Sequence, residues 1–245
     1  MDADLPGPVA LAWGLRDRPA KGPRRGLSVE RIVAAAIDLA TADGLGAVSM
    51  SRLAADLGTA PMSLYRYVAS KDELLALMSD AAIGPAPTAR RPGDGWRTGF
   101  GRWATAVREG MRRYPWLLRI PITGPPALPN QVAWMEEGLQ CLRGTGLDGG
   151  EKISAIMLVN NLVRSDLALT ADLSAAFDAA GMTADEAVSG YGRMLAKLID
   201  PQKFPAVHEL VADGTFDQGD DPDFEFTFGL ARIFDGLDAL IRSRA

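Results

Sequence analysis

The sequence predicts an all-α protein with an N-terminal three-helix helix-turn-helix domain and a larger C-terminal helical domain. Three observations lead to this prediction. Apolar residues recur at steps of three and four along most of the chain, which is the spacing of one helix face. Serines stand where helices would begin and glycines where they would end. Clusters of proline and glycine separate the helical segments, as in residues 84–95.

The first strongly patterned segment runs from Ser28 to Gly44. The Ser28 hydroxyl can accept a hydrogen bond from a first-turn amide, and Asp43-Gly44 is typical of a helix end. One apolar face consists of Ile32, Val33, Ala36, Ile37, Leu39 and Ala40. These residues predict a helix that packs against the segment after it.

Residues 49–71 predict two short helices separated at Gly58. Ser49 is expected to cap the first helix. Gly58 supplies the left-handed backbone conformation that closes a helix and allows a sharp turn. Pro61 suits the first turn of the second helix, where no amide partner is lost. Ser70 is expected to cap a third helix. The inner residues of the three helices are Leu53, Ala54, Leu57, Leu64, Val68, Leu74, Leu75, Leu77 and Met78.

The second of these helices has a polar outer side, which carries Met62, Ser63, Arg66 and Tyr67. A helix this short and this polar is not suited to building a core alone. The arrangement is typical of a helix-turn-helix, in which the second helix enters the major groove of DNA. Residues 28–83 are therefore predicted to form a DNA-binding domain.

Residues 28–75 resemble the DNA-binding domain of the TetR/AcrR family of bacterial transcription regulators. The matching positions are Ile32-Val33-Ala34-Ala35-Ala36, Asp43-Gly44, Val48-Ser49-Met50, Leu53-Ala54, Leu57-Gly58, Leu64-Tyr65-Arg66-Tyr67-Val68 and Lys71-Asp72-Glu73-Leu74-Leu75. Many matched positions with the family's spacing make this resemblance specific. It implies an all-helical homodimer in which a ligand-binding and dimerisation domain follows the DNA-binding domain.

Ten residues are predicted to contact DNA: Ser49, Ser51, Arg52, Pro61, Met62, Ser63, Tyr65, Arg66, Tyr67 and Lys71. Arg66 has the reach and the donors to contact guanine or phosphate. The tyrosines, Ser63 and Lys71 suit phosphate oxygens, which fix the register without reading sequence. The resemblance places Tyr65 and Lys71 at the family's usual phosphate contacts.

The other predicted contacts follow from position and chemistry. Pro61 and Met62 suit a thymine methyl group, and Ser49, Ser51 and Arg52 lie where the first helix meets the backbone or base edges. Two alternatives stay open. For Tyr65 and Tyr67, the alternative is a ring packed against the protein, which does not exclude a DNA contact. For Arg52, the alternative is a solvated surface arginine.

The net charge of −5 is unevenly distributed. Residues 21–71 hold seven basic residues (Lys21, Arg24, Arg25, Arg31, Arg52, Arg66, Lys71) and four acidic ones (Glu30, Asp38, Asp43, Asp56). This segment is therefore +3 and the remainder −8. Since phosphate binding responds to local basic groups, the acidic total does not exclude a DNA partner.

Several classes of protein are disfavoured. The single cysteine, Cys141, excludes an intramolecular disulfide framework and fits a reducing cytoplasm. No apolar run reaches the ~18–20 residues of a membrane span, and the N-terminus lacks the pattern of a signal peptide. The single histidine, His208, has no partner for a metal pair or a catalytic constellation. An enzyme is therefore not expected, and neither a metal nor another cofactor is predicted.

Residues 1–27 are predicted to be a flexible basic extension, because proline and glycine interrupt any regular element. The Lys21–Arg25 stretch resembles an arm that reaches into a minor groove, and a solvated tail is the equal alternative. A short apolar turn over residues 9–15 has no predicted place.

Residues 84–245 are predicted to form the helical ligand-binding and dimerisation domain. Helices are expected over residues 96–113, 129–143, 149–170, 183–199, 205–212 and 222–242, with the state of 167–181 left open. The residues predicted to line a ligand cavity are Phe100, Trp103, Trp134, Met157, Asn161, Arg164 and Phe177. They combine large apolar side chains with a few polar groups. The alternative is that the aromatic residues only pack the core.

The helices near 149–170 and 222–242 are apolar on more than one side. A surface helix normally shows one stripe, so these two need a second packing partner. The resemblance, weaker here and closest to the tetracycline-repressor-like C-terminal subgroup, implies that they form the dimer interface. The predicted function is a repressor that a small apolar ligand releases from a near-palindromic operator in double-stranded DNA. The alternative is a DNA-binding regulator without a small-molecule effector, acting with a protein partner or as an activator.

Overall fold

The computed structural model describes residues 5–15, 27–217 and 221–244. In these residues it contains eleven α-helices, three short 3₁₀ turns and no strand. The helices are α1 (Gly7–Ala12), α2 (Val29–Asp43), α3 (Met50–Asp56), α4 (Pro61–Tyr65), α5 (Lys71–Ile83), α6 (Trp96–Arg113), α7 (Pro129–Cys141), α8 (Gly149–Ala180), α9 (Ala184–Leu198), α10 (Pro205–Ala212) and α11 (Phe224–Arg242). The 3₁₀ turns are Leu45–Ala47, Pro115–Arg119 and Thr215–Asp217. The predicted all-α fold class is confirmed.

Helices α2 to α5 enclose the first core. Ser28, Ser49 and Ser70 cap α2, α3 and α5 as predicted, because each hydroxyl accepts a hydrogen bond from the amide three residues ahead. Gly58 has a φ of 65°, which confirms the left-handed turn, and Pro61 is the first residue of α4. The fully buried residues are Ile32, Ala36, Val48, Leu53, Leu64, Val68, Leu74 and Met78.

The N-terminal helix α1 packs on α5. Its Leu11 is buried in the first core, and the Trp13 indole N–H donates to the Ala127 carbonyl at 2.8 Å. The expected flexible extension over 1–27 is therefore wrong for residues 5–15, since apolar burial against α5 outweighs the local proline and glycine signals. The basic Lys21–Arg25 stretch lies outside the described residues.

Helices α6, α7, α8 and α11 enclose the second core. Helix α6 runs antiparallel to α11, because Arg97 pairs with Asp235 at one end and Arg108 pairs with Asp223 at the other, both at 2.7 Å. The packing is close where glycine allows it. A Cβ on Gly229 of α11 would lie 2.8 Å from Leu162 of α8.

The observed helix limits match the predictions closely, with one exception. Helix α6 has the predicted limits, and α7, α9, α10 and α11 begin and end within two residues of theirs. Helix α8 continues to Ala180, ten residues beyond the predicted end, and stops at Gly181, which has a φ of 66°. The extra segment is rich in alanine, the residue with the highest helix propensity.

Contacts at several places join the two cores. The turn Pro115–Arg119 sends Trp116 and Leu117 into the first core, and the Trp116 indole N–H donates to the Thr41 hydroxyl at 3.2 Å. Asp80 of α5 lies at the start of α7, where the Gln131 amide donates to its carboxylate at 3.0 Å. Because residues from both sides of position 84 share the first core, a domain boundary there stays a prediction.

Candidate nucleic-acid interface

The outer side of α4 presents both polar and apolar side chains to solvent, and its inner side is buried. Leu64 on this helix and Val68 just after it are fully buried in the first core. On the outer side, Met62 is 74% exposed and Tyr65 is 42% exposed, and Arg66 and Pro61 are exposed as well. A methionine this exposed has no packing role within the described chain. The outer side of α4 is therefore the part of the helix-turn-helix that can meet a ligand.

Ser63 lies on α4, and Tyr67 lies two residues beyond the last residue of that helix, Tyr65. Both are only partly exposed, and the Tyr67 ring packs on the first core. The Tyr67 ring therefore packs against the protein, as one of the two alternatives held, whereas Tyr65 is more exposed. Each of these hydroxyl groups can still donate a hydrogen bond to a phosphate.

The start of α3 carries Ser49, Ser51 and Arg52, which are all exposed. The Ser49 hydroxyl accepts from the Arg52 amide at 3.2 Å, and its own hydrogen stays available to a partner. The Arg52 guanidinium donates to the Asp43 carboxylate at 2.8 Å. The sequence reasoning did not predict this ion pair.

Lys71 is the first residue of α5 and is exposed. The loop before it is fixed by two hydrogen bonds. The Glu73 amide donates to the Ser70 hydroxyl at 3.0 Å, and the Ala69 amide donates to the Glu73 carboxylate at 2.9 Å. This reciprocal capping holds the backbone that carries Lys71.

The basic residues of this region differ in their charge partners. Within the part of the chain that the structure describes, neither Arg66 nor Lys71 lies in an ion pair. Arg52, in contrast, is held by Asp43 and lies 4.0 Å from Asp56. The ten predicted residues belong to α3 and its N-cap, to α4 and the two residues after it, or to the first residue of α5, all around the first core.

In the second half, the structure brings together three of the seven predicted cavity residues. Phe100 and Trp103 stack with their ring centroids 5.1 Å apart, and the Trp103 indole N–H donates to the Trp134 carbonyl at 2.9 Å. The Trp134 indole N–H donates to the Gly84 carbonyl at 3.0 Å. All three side chains are buried, and both indole donors are used by the protein itself.

The other predicted cavity residues lie elsewhere on α8. Met157 and Asn161 are exposed, on the side of α8 away from the buried Ile156, Val159 and Val163. Arg164 is partly buried and donates to the Leu118 carbonyl at 3.4 Å, and Phe177 is partly buried near the C-terminal end of the helix. Met157 and Asn161 therefore face away from the core that holds Trp103.

Sequence reasoning missed a buried ionic cluster. Arg108 is 5% exposed, and its guanidinium donates to Asp166 at 3.1 Å and to Asp223 at 2.7 Å. It also lies 4.5 Å above the Phe226 ring. The hydrogen bond from Arg108 lowers the pKa of the Asp223 carboxyl. The available signal was the placement of Arg108 on the apolar stripe of α6, between Ala104 and Met111.

A second missed contact joins the two cores. Asp80 is buried, and its carboxylate accepts hydrogen bonds from the Gln131 amide and, at 3.1 Å, from the Asn130 side chain. Burial raises the pKa of this carboxyl, and the hydrogen bonds oppose that shift. Asp80 lies three residues after Leu77 on the inner stripe of α5, so an acid on an apolar face was again the signal.

The described residues offer little for other chemistry. They contain no group of three or more histidine, cysteine, aspartate or glutamate side chains that could hold a metal ion. Burial raises the pKa of the Cys141 thiol to about 11, which keeps it protonated. No helix in residues 5–15, 27–217 or 221–244 has the length and apolar character to cross a membrane.

The fold and the exposed outer side of α4 define a helix-turn-helix protein. A family described as "Bacterial regulatory proteins, tetR family" matches residues 32–78, and one described as "Tetracyclin repressor-like, C-terminal domain" matches residues 88–241. The chain belongs to the TetR family of DNA-binding transcriptional regulators. The resemblance found in the sequence is confirmed over both halves.

Similar proteins agree with this assignment. The transcriptional repressor DrrR1 of Streptomyces coeruleorubidus is 38% identical over 243 residues, which cover 98% of this chain and 88% of that protein. The structure of apo ActR from Streptomyces coelicolor is 29% identical, with a TM-score of 0.74, and covers 92% of this chain and 100% of that one. ActR in complex with actinorhodin has the same identity and TM-score over 88% and 99% of the two chains.

Proposed function

We propose that this protein is a homodimeric repressor that occupies a near-palindromic operator and leaves it when a small apolar molecule binds the C-terminal half. The observation that carries the proposal is the outer side of α4. Its outer residues, Met62 above all, face solvent, while Leu64 and Val68 fix the segment on a core. Similarity to DrrR1, a repressor, supports the sign of the regulation.

The proposed reading residues divide by chemistry. Met62 and Pro61 offer apolar contact to thymine methyls, and Arg66 offers several donors to a guanine edge or a phosphate. Lys71 and Tyr65 supply phosphate contacts that set the register. Since Arg66 and Lys71 are unpaired among the described residues, their charge is available to release counterions from DNA.

The proposed dimer forms through α8 and α11. Ile153, Met157, Leu158, Leu169 and Leu173 are all exposed on α8 although large and apolar. On α11, Phe224 and Phe228 are each 50% exposed and lie 5.9 Å apart in a stack. Exposed apolar surface of this extent on two adjacent helices is typical of a protein interface. A two-fold pairing of this face gives a four-helix interface.

A two-fold dimer also explains the kind of DNA proposed. Two copies of α4 enter adjacent turns of the major groove when they are about 34–36 Å apart. Such a pair recognises two inverted half-sites, which is the definition of a near-palindrome. One copy alone reads only half of the operator.

The proposed ligand response needs a physical link between the two halves. The Trp116–Thr41, Asp80–Gln131 and Trp13–Ala127 hydrogen bonds provide contacts across it. A ligand that prefers one arrangement of α6 to α8 therefore also biases the position of the helix-turn-helix. ActR, the similar regulator, has been solved in complex with actinorhodin, which supports a small-molecule effector here.

Fluorescence anisotropy with DNA from upstream of the protein's own coding region tests the reading residues. Lys71→Gln is expected to weaken binding to all sequences and to reduce the salt slope by about 1. Arg66→Ala is expected to cost roughly 1–3 kcal/mol of operator binding, because it removes a base or phosphate contact. Lys197→Gln, an exposed lysine on α9, is the matched control and is expected to change nothing. Unchanged affinity and salt slope in both test variants would contradict the assignment.

The same assay tests release by a ligand. A panel of apolar aromatic compounds, actinorhodin included, is first screened for binding by the change in fluorescence of the five tryptophans. A compound that binds is expected to weaken operator affinity at least tenfold. If bound compounds leave DNA affinity unchanged, the regulator works without such an effector.

A further inference from the structure

Arg52 is the basic residue of the helix-turn-helix that the structure holds in place. Its guanidinium nitrogen Nη2 lies 2.8 Å from Asp43 Oδ2, and its Nε lies 4.0 Å from Asp56 Oδ2. Asp43 is the last residue of α2 and Asp56 the last of α3. The Asp43 contact is a hydrogen-bonded ion pair, whereas the Asp56 contact is too long for a hydrogen bond.

Helix stability does not explain why an acid stands at position 43. A carboxylate at the C-terminal end of a helix faces the negative end of the helix dipole, which is unfavourable. The Arg52 and Asp43 side chains are 53% and 46% exposed, and ion pairs this exposed contribute little to folding. A carboxylate close to a DNA-binding element also repels phosphates. The position therefore carries two costs and no large gain in stability.

We propose that Asp43 is a positioning residue for DNA recognition, which fixes the Arg52 guanidinium so that its remaining N–H groups meet the operator. This inference rests on the proposed function, in which α3 and α4 face DNA. A guanidinium has five N–H donors in a rigid planar fork, and the Asp43 hydrogen bond uses one of them. The others keep a defined direction.

The Asp43–Arg52 ion pair also gives the basic residues different roles. Asp43 offsets the charge of Arg52, so Arg52 adds little to the general attraction for phosphates and more to the choice of sequence. Arg66 and Lys71, which have no carboxylate partner in the described residues, provide the general attraction. Arg52 is then a selectivity residue only while Asp43 holds it.

The experiment compares Asp43→Asn with Asp38→Asn. Both remove one exposed acid from α2, but Asp38 has no ion pair among the described residues. Anisotropy is measured with operator DNA and with random-sequence DNA of equal length. Asp43→Asn is expected to tighten binding to random DNA and to lower the operator-to-random affinity ratio roughly tenfold, the size of one good base contact. Asp38→Asn is expected to leave the ratio unchanged.

The salt slope provides a readout that a merely structural role would not move. In the otherwise natural protein, Arg52→Gln is expected to reduce the slope by clearly less than Lys71→Gln does, because the Arg52 charge is already offset. In the Asp43→Asn background, Arg52→Gln is expected to reduce the slope by about 1. Arg52→Lys keeps the charge without the fork and is expected to lose the same operator-to-random ratio as Asp43→Asn.

Two results would overturn the proposal. One is an equal effect of Asp43→Asn and Asp38→Asn on the affinity ratio. The other is an Asp43→Asn effect that persists unchanged when residue 52 is glutamine. Failure of the proposed function has a different signature, since the natural protein would then bind operator and random DNA equally.

Discussion

Removal of the Arg108 side chain is expected to destabilise the C-terminal half strongly. The arginine and its partner Asp166 both have side chains that are only 7% exposed, so Arg108→Met leaves a buried carboxylate without its cation. Loss of one member of a buried ion pair costs about 3–5 kcal/mol. The lost contact with Phe226 adds to this cost, because the guanidinium lies 4.5 Å from the ring. Arg108→Met is therefore expected to lower the free energy of unfolding by about 3–5 kcal/mol.

The assay is urea unfolding at pH 7 and at one fixed protein concentration, since the stability of the proposed dimer would depend on concentration. Arg112→Met is the matched control, because this arginine is on the same helix with its side chain 54% exposed. Arg108→Met with Asp166→Leu is expected to recover most of the loss, since an apolar pair of similar volume is often neutral. A cost below about 1 kcal/mol for Arg108→Met, or a double variant no more stable than the single one, would contradict a large contribution from this buried pair.

The remaining predictions concern Asp80 and the dimer face. Asp80→Ala is expected to lower the free energy of unfolding by about 2 kcal/mol, because it leaves the Gln131 amide without its acceptor. Because burial raises the Asp80 pKa, the folded state binds this proton more tightly than the unfolded state does. The free energy of unfolding of the natural protein, relative to that of Asp80→Asn, should therefore fall as the pH rises above 3.8. Urea titrations at several pH values measure this difference. A constant difference across pH would contradict this. Met157→Asp is expected to raise the dimer Kd by at least about 100-fold in sedimentation experiments, whereas Ile122→Asp, at a 74% exposed site outside α8 and α11, should not. A dimer that survives Met157→Asp would place the interface elsewhere.

Much of the helix-turn-helix could be predicted from local sequence. The serine caps, the Gly58 turn and the place of Pro61 in the first turn of α4 each depend on contacts within four residues, and all were predicted correctly. The inner and outer sides of α4 also followed, because Leu64 and Val68 lie four apart. Short-range hydrogen bonds and helical spacing are properties of a segment, so a single sequence is enough to find them.

The residues that line a cavity were harder to predict from the sequence. Trp103 and Trp134 do meet, but Met157 and Asn161 lie on the exposed side of α8. A helix that is apolar on several sides gives no rule for which side faces its own core. The length of α8 was underestimated for a related reason, since residues 171–180 have few large apolar residues and their helix is supported mainly by propensity.

The sequence by itself determined the all-α class, the position and caps of the helix-turn-helix, and the family. Only the tertiary structure decided the partners of charged residues far apart in the chain. Arg108 and Asp223 are 115 residues apart, Asp80 and Gln131 are 51 apart, and α1 packs on α5 across the intervening helices. The physical reason is that helices form from local spacing and capping, whereas ion pairs and buried hydrogen bonds depend on which faces the packed helices bring together.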